Sequence, residues 1–396
     1  MSIRGNAEMS RIDELLREAT SKRRVVGVSA AAATTESVLY QGAFGRLNEA
    51  QSSELPMDGI FRIMSMTKAI TSVAAMQLVE RGKLELDADA GEVLPELRDP
   101  QVLKGFDAES GEPTLRPAAA LITPRQLLTH TSGLAYDIWS PELVEYTKRM
   151  GLPSVLDGVA GFLEVPLIHD PGSRWCYGIS TDWLGQIVER VSGLRLDAYL
   201  RQHVLGPLGM PETDFVVTES QLSRVPSVYA RQDDGSLALP TEPFAAPIQV
   251  DFFSGGGGLH STTLEYLRFL RMMLRGGELE GARILARETV ELMSQNQIGG
   301  FEQEILRTAM PEISNDVDLF PGMVKKWGLG FMINTEPIEG RRAAGSLAWA
   351  GLFNSYFWID CASGVCGVLL TQILPFFDRR VVSLFEDFER AVYDSL

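Results

Sequence analysis

The sequence predicts a protein of mixed class: an α/β body whose antiparallel sheet is flanked by terminal helices, with an all-α lobe inserted into it. Three observations carry that expectation. Strand-like segments gather near both ends of the chain, helix caps and turns fill its middle, and both terminal stretches carry helical spacing.

In chain order, residues 9–21 space their apolar side chains as an amphipathic helix does, and 25–31 and 37–42 have the alternation and β-branched content of strands. Residues 66–80 form an apolar-periodic helix that opens at Ser65 and closes on Arg81-Gly82, a basic last turn followed by a helix-ending glycine. From about 84 to 259 the signals are helical. Thr123-Pro124 opens a short helix, and Ser180-Thr181 opens another over 182–191 that stops near Gly193. Strand patterns return at 327–334, 346–360 and 364–373, and residues 376–395 are helical again. The expected division is therefore a discontinuous α/β lobe, 1–83 with 260–396, and a mainly helical lobe, 84–259, with the active cleft between them. Residues 301–326 hold Pro311, Pro321 and mixed charge, which fits a long loop beside that cleft.

A chain of 396 residues exceeds what one hydrophobic core usually supports, in keeping with two lobes. Apolar residues at 45% and charged residues at 22% are ordinary globular values. A net charge of −16 with no compact Lys/Arg stripe argues against nucleic acid as a partner. Residues 1–24 lack the apolar core of an export signal, and no run of about 18 apolar residues appears, so neither secretion nor a membrane partner is expected and a cytoplasmic location is. Cys176, Cys361 and Cys366 are odd in number and lack C-x-x-C spacing, which suits buried thiols rather than disulfides or a zinc site.

The chemistry-bearing pattern is Ser65-Met66-Thr67-Lys68. An S-x-x-K tetrapeptide occurs about once or twice by chance in a chain of this length, so its context decides. On a helix, three-residue spacing puts Lys68 on the face of Ser65, near enough to exchange a proton with its hydroxyl, and the helix N-terminus favours developing negative charge. The bland alternative is an N-cap serine with a surface lysine. A lysine works as a base only when burial or a neighbouring cation lowers its pKa, and Ile70, Val73 and Ala74 make burial plausible. Tyr177 follows Asp170-Pro171-Gly172-Ser173 and precedes a helix cap, so its phenol is either a proton shuttle or a core tyrosine.

These blocks, with Leu127-Leu128-Thr129-His130-Thr131-Ser132-Gly133-Leu134, the glycine run 255–258 with Leu259, and Trp349-Ala350-Gly351, come in an order that resembles the serine β-lactamase-like, penicillin-recognising superfamily. The pattern is most like that of class C β-lactamases and family VIII carboxylesterases. The resemblance implies the β-lactamase/transpeptidase-like fold, an acyl-forming nucleophile at Ser65, and Lys68 and Tyr177 as the base pair. It further implies that Trp349-Ala350-Gly351 replaces the K-T-G strand and that the backbone N–H groups of Ser65 and Leu352 form the oxyanion hole.

Two departures concern substrate. Ile179 stands where those β-lactamases carry the asparagine of Y-x-N, and Trp349 takes the place of the K-T-G lysine, removing a cation for a β-lactam carboxylate. The W-x-G pattern resembles that of family VIII carboxylesterases. Strand alternation places Trp349 and Gly351 on one face as candidate substrate contacts, and Tyr136 and Phe253 are further candidates for the pocket. Competing constellations are absent: there is no G-x-S-x-G, the four histidines include no H-x-x-x-H pair, and no lysine follows the glycine run, which suits close backbone packing. The leading expectation is a serine carboxylesterase acting on small-molecule short- or medium-chain acyl esters without metal or organic cofactor. A weak β-lactamase, amidase or acyltransferase on the same scaffold is the alternative, and a non-catalytic binding or assembly protein the second.

Overall fold

Six consecutive residues, Val28 to Ala33, are buried in strand β1 (Gly27–Thr34), although alternation turns every second side chain to the opposite face. The strand is covered on both faces. The computed structural model describes residues 3–49, 53–241 and 244–396, with side chains from residue 11 onward. On one face of β1, Ser29 meets Thr263 of helix Thr263–Leu274 through a 2.6 Å hydroxyl contact. On the other, Tyr40 of β2 (Val38–Gly45), the cross-strand partner of Ala32, donates to Asp13 of α1 (Ile3–Ser21) and packs on Phe388 of the C-terminal helix Arg379–Asp394.

The sheet is completed from the other end of the chain by β3 (Lys325–Trp327), β4 (Met332–Asn334), β5 (Leu347–Gly351), β6 (Ser355–Asp360) and β7 (Val365–Leu370). The seven strands run β3-β4-β5-β6-β7-β1-β2, antiparallel throughout. This is the antiparallel sheet with terminal helices that the sequence predicts. Two strand expectations need correction. Residues 327–334 are two strands rather than one, because the chain folds back over Gly328 to Phe331, with Gly330 at φ 99°. Residues 346–360 likewise split into β5 and β6 around a hairpin at 352–354, where Asn354 has φ 60°.

That hairpin is tied down. The Asn354 amide donates to the carbonyls of Ile373 (2.9 Å) and Pro375 (2.8 Å), and its oxygen accepts from the Tyr356 hydroxyl and the Asp378 N–H. A side chain with both ends occupied holds its left-handed backbone in place.

Helix α2 (Thr67–Glu80) is buried all round from Thr67 to Leu78, so it has no solvent face and runs through the interior. It packs against α3 (Ser180–Ser192), which ends at Gly193 with φ 73° in the left-handed cap that only a flexible residue takes cheaply. The region 84–259 also holds an antiparallel pair, Gln101–Phe106 with Pro113–Pro117, that the sequence reading lacked. The loop at 301–324 contains no helix or strand, only the isolated bridges Leu306–Val317 and Ser314–Phe376, and it docks through Ala309 N–H on the Ile138 carbonyl and through Ser314 on the Trp139 indole. No helix among the described residues is long and apolar enough to cross a membrane.

Candidate active site

Ser65 lies in a tight turn, Met64–Met66, that feeds directly into α2. Neither the turn nor the helix uses a side-chain cap, so the Ser65 hydroxyl is not spent on capping. Lys68 is 1% exposed, which removes the bland reading of a cap serine beside a surface lysine. The residue before the serine, Met64, has φ 46°, a left-handed conformation costing on the order of 1 kcal/mol or more in a side-chain-bearing residue.

The Lys68 amine has three contacts: Ser65 Oγ at 3.2 Å, Tyr136 Oη at 2.8 Å and the Gly256 carbonyl oxygen at 2.7 Å. Asp182, fully buried at the start of α3, accepts from the Ser254 hydroxyl (2.6 Å), the Gly256 N–H (3.0 Å) and the Tyr136 hydroxyl (3.3 Å). A carboxylate only accepts, so Tyr136 spends its proton on Asp182 and takes an N–H from Lys68. The Gly256 carbonyl takes a second. A neutral amine has two N–H groups, and its lone pair is then left facing Ser65. Gly256 permits this closeness, since a Cβ there would lie 2.3 Å from Asp182 Oδ2.

Burial lowers the Lys68 pKa to about 7, with the Asp182 charge opposing the shift. Near neutral pH a large fraction of the lysine is therefore free amine. Burial acts the other way on the phenols: it pushes Tyr136 well up, aided by the Asp182 charge, and pushes Tyr177 up against the pull of its hydrogen bonds with Ser65 and Trp349. Both stay protonated.

Tyr177 is 3% exposed, and its oxygen accepts the Trp349 indole N–H at 3.0 Å. With that lone pair occupied, its own proton is available to Ser65. The Lys68 Nζ sits 4.9 Å from the ring centres of both Tyr136 and Tyr177. Strand β5 approaches the serine turn so closely that a Cβ on Gly351 would lie 2.3 Å from the Ile63 carbonyl oxygen. Only glycine fits, and the approach brings Leu352 to the cleft that Ser65 lines.

The cleft has a volume of about 690 Å³. Its walls include Trp139, Phe252, Leu352 and Phe353, with Gly256 to Gly258 along one side. The candidate residues do not all sit where the sequence reading put them. Trp349 is not in the cleft wall; it packs between Tyr177 and Trp327 at centroid distances of 4.9 and 4.7 Å. Gly351 serves the close strand approach. Tyr136 lines the cleft but commits its hydroxyl to Lys68 and Asp182. Phe253 turns away onto Phe215 and Arg195, and its neighbour Phe252 lines the cleft instead. Of the three cysteines expected to be buried only Cys366 is; Cys361 is exposed, and Cys176 is half-buried with its thiol pushed up to about 12 by desolvation, so it is inert as a nucleophile.

Asp182 was missed. Acidic residues are common in the first turn of any helix, and that ordinary preference hid it. Trp139 was missed as well, and only its place beside Tyr136, at 6.0 Å between rings, reveals it.

Residues 12–384 match the family model described as Beta-lactamase, and the chain belongs to that family. It is a serine enzyme of the hydrolase type. It is similar to monacolin J acid methylbutanoyltransferase of Aspergillus terreus, 31% identical over 96% of this chain and 95% of that protein. Lovastatin esterase of Penicillium rubens is 29% identical over 90% of each chain. Among solved structures, a mutant of simvastatin synthase from Aspergillus terreus superposes with a TM-score of 0.83 at 30% identity, covering 98% of this chain and 97% of that one.

Proposed function

We propose that this protein transfers a short or medium acyl group, by way of an ester on Ser65, to an alcohol acceptor, with water as the slower competing acceptor. The observation that carries the chemistry is the Lys68 amine, 3.2 Å from the Ser65 hydroxyl and lowered to a pKa of about 7. What favours transfer over the plain ester hydrolysis expected from sequence is the similarity to methylbutanoyltransferases, together with a largely apolar cleft roomy enough for acyl group and acceptor at once.

Ser65 Oγ attacks the acyl carbon of the donor while its proton passes to Lys68. The carbonyl oxygen becomes an oxyanion and is met by the backbone N–H groups of Ser65 and Leu352, donors of a kind worth roughly 10²- to 10³-fold in rate. Tyr177, held by Trp349 with its proton toward Ser65, protonates the departing oxygen or sulfur and recovers its proton from Lys68. In the second half the acceptor hydroxyl gives its proton to the Lys68 amine and attacks the acyl-Ser65 carbonyl, and Ser65 leaves with a proton. Apolar walls at Phe252, Leu352 and Phe353 disfavour water as the second nucleophile.

The test is product analysis with p-nitrophenyl butyrate as donor and 1-hexanol as acceptor, comparing the wild-type protein with Ser65→Ala. Hexyl butyrate formed in excess of butyrate, and only by the wild type, is the expected result. Butyrate as sole product at every hexanol concentration makes the protein an esterase, and equal turnover by Ser65→Ala rejects the acyl-enzyme.

A further inference from the structure

Trp139 has a cavity on each side of it. It lines the cleft that holds Ser65, and it also lines a second chamber of about 460 Å³ whose walls include Tyr177, Ala135, Ile168 and Trp175. No other described residue belongs to both walls. One side chain therefore divides the two spaces.

The indole is held in that position. Trp139 ends the short helix Asp137–Trp139, and its ring lies 5.4 Å from Tyr177 and 6.5 Å from Phe376 between centres. Its N–H donates to Ser314 Oγ at 3.1 Å. The Ser314 hydroxyl, on a fully buried residue, gives its own proton to the Asn315 carbonyl at 2.7 Å, so its lone pairs are left for the indole. The same loop supplies Glu304 to Arg307 to the second chamber, so one segment both latches the divider and walls the space behind it.

Tyr177 shows which half of the substrate meets this wall. It protonates the departing oxygen, so the leaving group lies on its side of Ser65, and the acceptor alcohol enters where the leaving group left. Trp139, against Tyr177, closes that half. Behind it the chamber has apolar walls and exposed Lys104 and Glu142 where it meets solvent, and its Arg174 is paired with Glu304. Such a space suits a slim, uncharged chain with polar atoms toward its far end.

We propose that Trp139 is the specificity-determining partition of the acceptor side: it restricts the enzyme to compact alcohols by shutting elongated, uncharged ones out of the second chamber, with Ser314 as the positioning residue that keeps it shut. The proposal rests on the Ser65 acyl-transfer reading and names the acceptor class of the same site.

The test compares 1-butanol with triethylene glycol monobutyl ether, first as acceptors with p-nitrophenyl butyrate as donor, then as leaving groups in their own butyrate esters. In the wild type the ratio of kcat/KM, long over short, is expected near one. It should rise at least about tenfold in Trp139→Ala, mainly through KM, and about two- to threefold in Ser314→Ala, which keeps the indole but frees it. Adding Ile168→Trp to Trp139→Ala refills the chamber and should remove the gain. A ratio unchanged in Trp139→Ala, a gain that survives Ile168→Trp, or a wild-type ratio already above about threefold overturns the partition. If Trp139→Ala does not fold, Trp139→Leu is judged by the same criteria. Should no transfer occur, the leaving-group arm still decides the partition and only transfer is rejected; no turnover of any ester removes the Ser65 reading and the partition with it.

Discussion

Tyr136 donates its hydroxyl proton to Asp182 across 3.3 Å, and this bond determines which way the Lys68 amine faces. With the phenol proton committed to a buried carboxylate, the phenol oxygen is left as an acceptor for Lys68 at 2.8 Å. The Gly256 carbonyl fixes the other N–H at 2.7 Å. Orientation of the base is thus settled before any substrate arrives, which is the kind of preorganisation that proton transfer rewards.

Tyr136→Phe keeps the ring against Trp139 and Tyr177 but releases the amine from one of its two anchors. Turnover of p-nitrophenyl butyrate is expected to fall about 10- to 100-fold with KM within about twofold. Circular dichroism checks that the fold is kept; a variant turning over at the wild-type rate means that Tyr136 does not hold the base.

The pH profile reports the lysine. Only the free amine takes the Ser65 proton, so kcat/KM is expected to rise with pH through about 7 and flatten above it. The Asp182 charge holds the Lys68 value up against burial. Asp182→Asn removes that charge, so the rising limb should move to lower pH even as the plateau drops. A limb that stays put, or moves up, rejects the coupling between the two groups.

Trp349→Phe preserves the ring packing on Trp327 and deletes the N–H donated to Tyr177 at 3.0 Å. One neutral hydrogen bond is worth about 1 kcal/mol, so kcat should fall roughly fivefold, with KM steady across acyl lengths from acetate to octanoate. If Trp349 were a wall of the acyl pocket, KM would instead vary with chain length. Tyr177→Phe is the stronger companion and should lower kcat by at least about 10²-fold.

Gly351→Ala places a methyl group 2.3 Å from the Ile63 carbonyl oxygen. Strand β5 must retreat from the serine turn, at a cost of about 1–3 kcal/mol in stability. The Leu352 N–H moves with it, so kcat should drop by about 10²-fold or more. Thermal denaturation and steady-state kinetics on the same preparation test both, and an alanine variant matching the wild type in each removes the close approach as a requirement.

Much of this site was legible because its chemistry repeats a helical period. Ser65 and Lys68 share a face at three-residue spacing, and the apolar residues that follow announced the burial that lowers the amine. Alternation correctly put Trp349 and Gly351 on one face of a strand, but it says nothing about what stands opposite. Tyr177 fills that space, so the tryptophan became a support for a site residue instead of a substrate contact. Phe252 and Phe253 show a similar limit: in irregular backbone no period exists to tell which of two neighbouring rings turns inward. The single strand expected over 327–334 failed for a related reason, since Gly330, at φ 99°, allows a sharp return that the apolar residues on either side conceal. Asp182 was hidden by the ordinariness of an acid in a first helical turn.

The sheet joins residues 27–45 to residues 325–370, and the serine turn depends on a strand made near the end of the chain. During synthesis Ser65, Lys68 and Tyr177 all emerge long before Gly351 and Leu352 do. Contacts so distant in sequence form late, after the intervening chain is available. A growing chain therefore carries the serine for about 285 residues of synthesis before the strand that packs against its turn. A chain that stopped short of Gly351 would keep Ser65, Lys68 and Tyr177 yet leave the serine turn without the strand that packs on it.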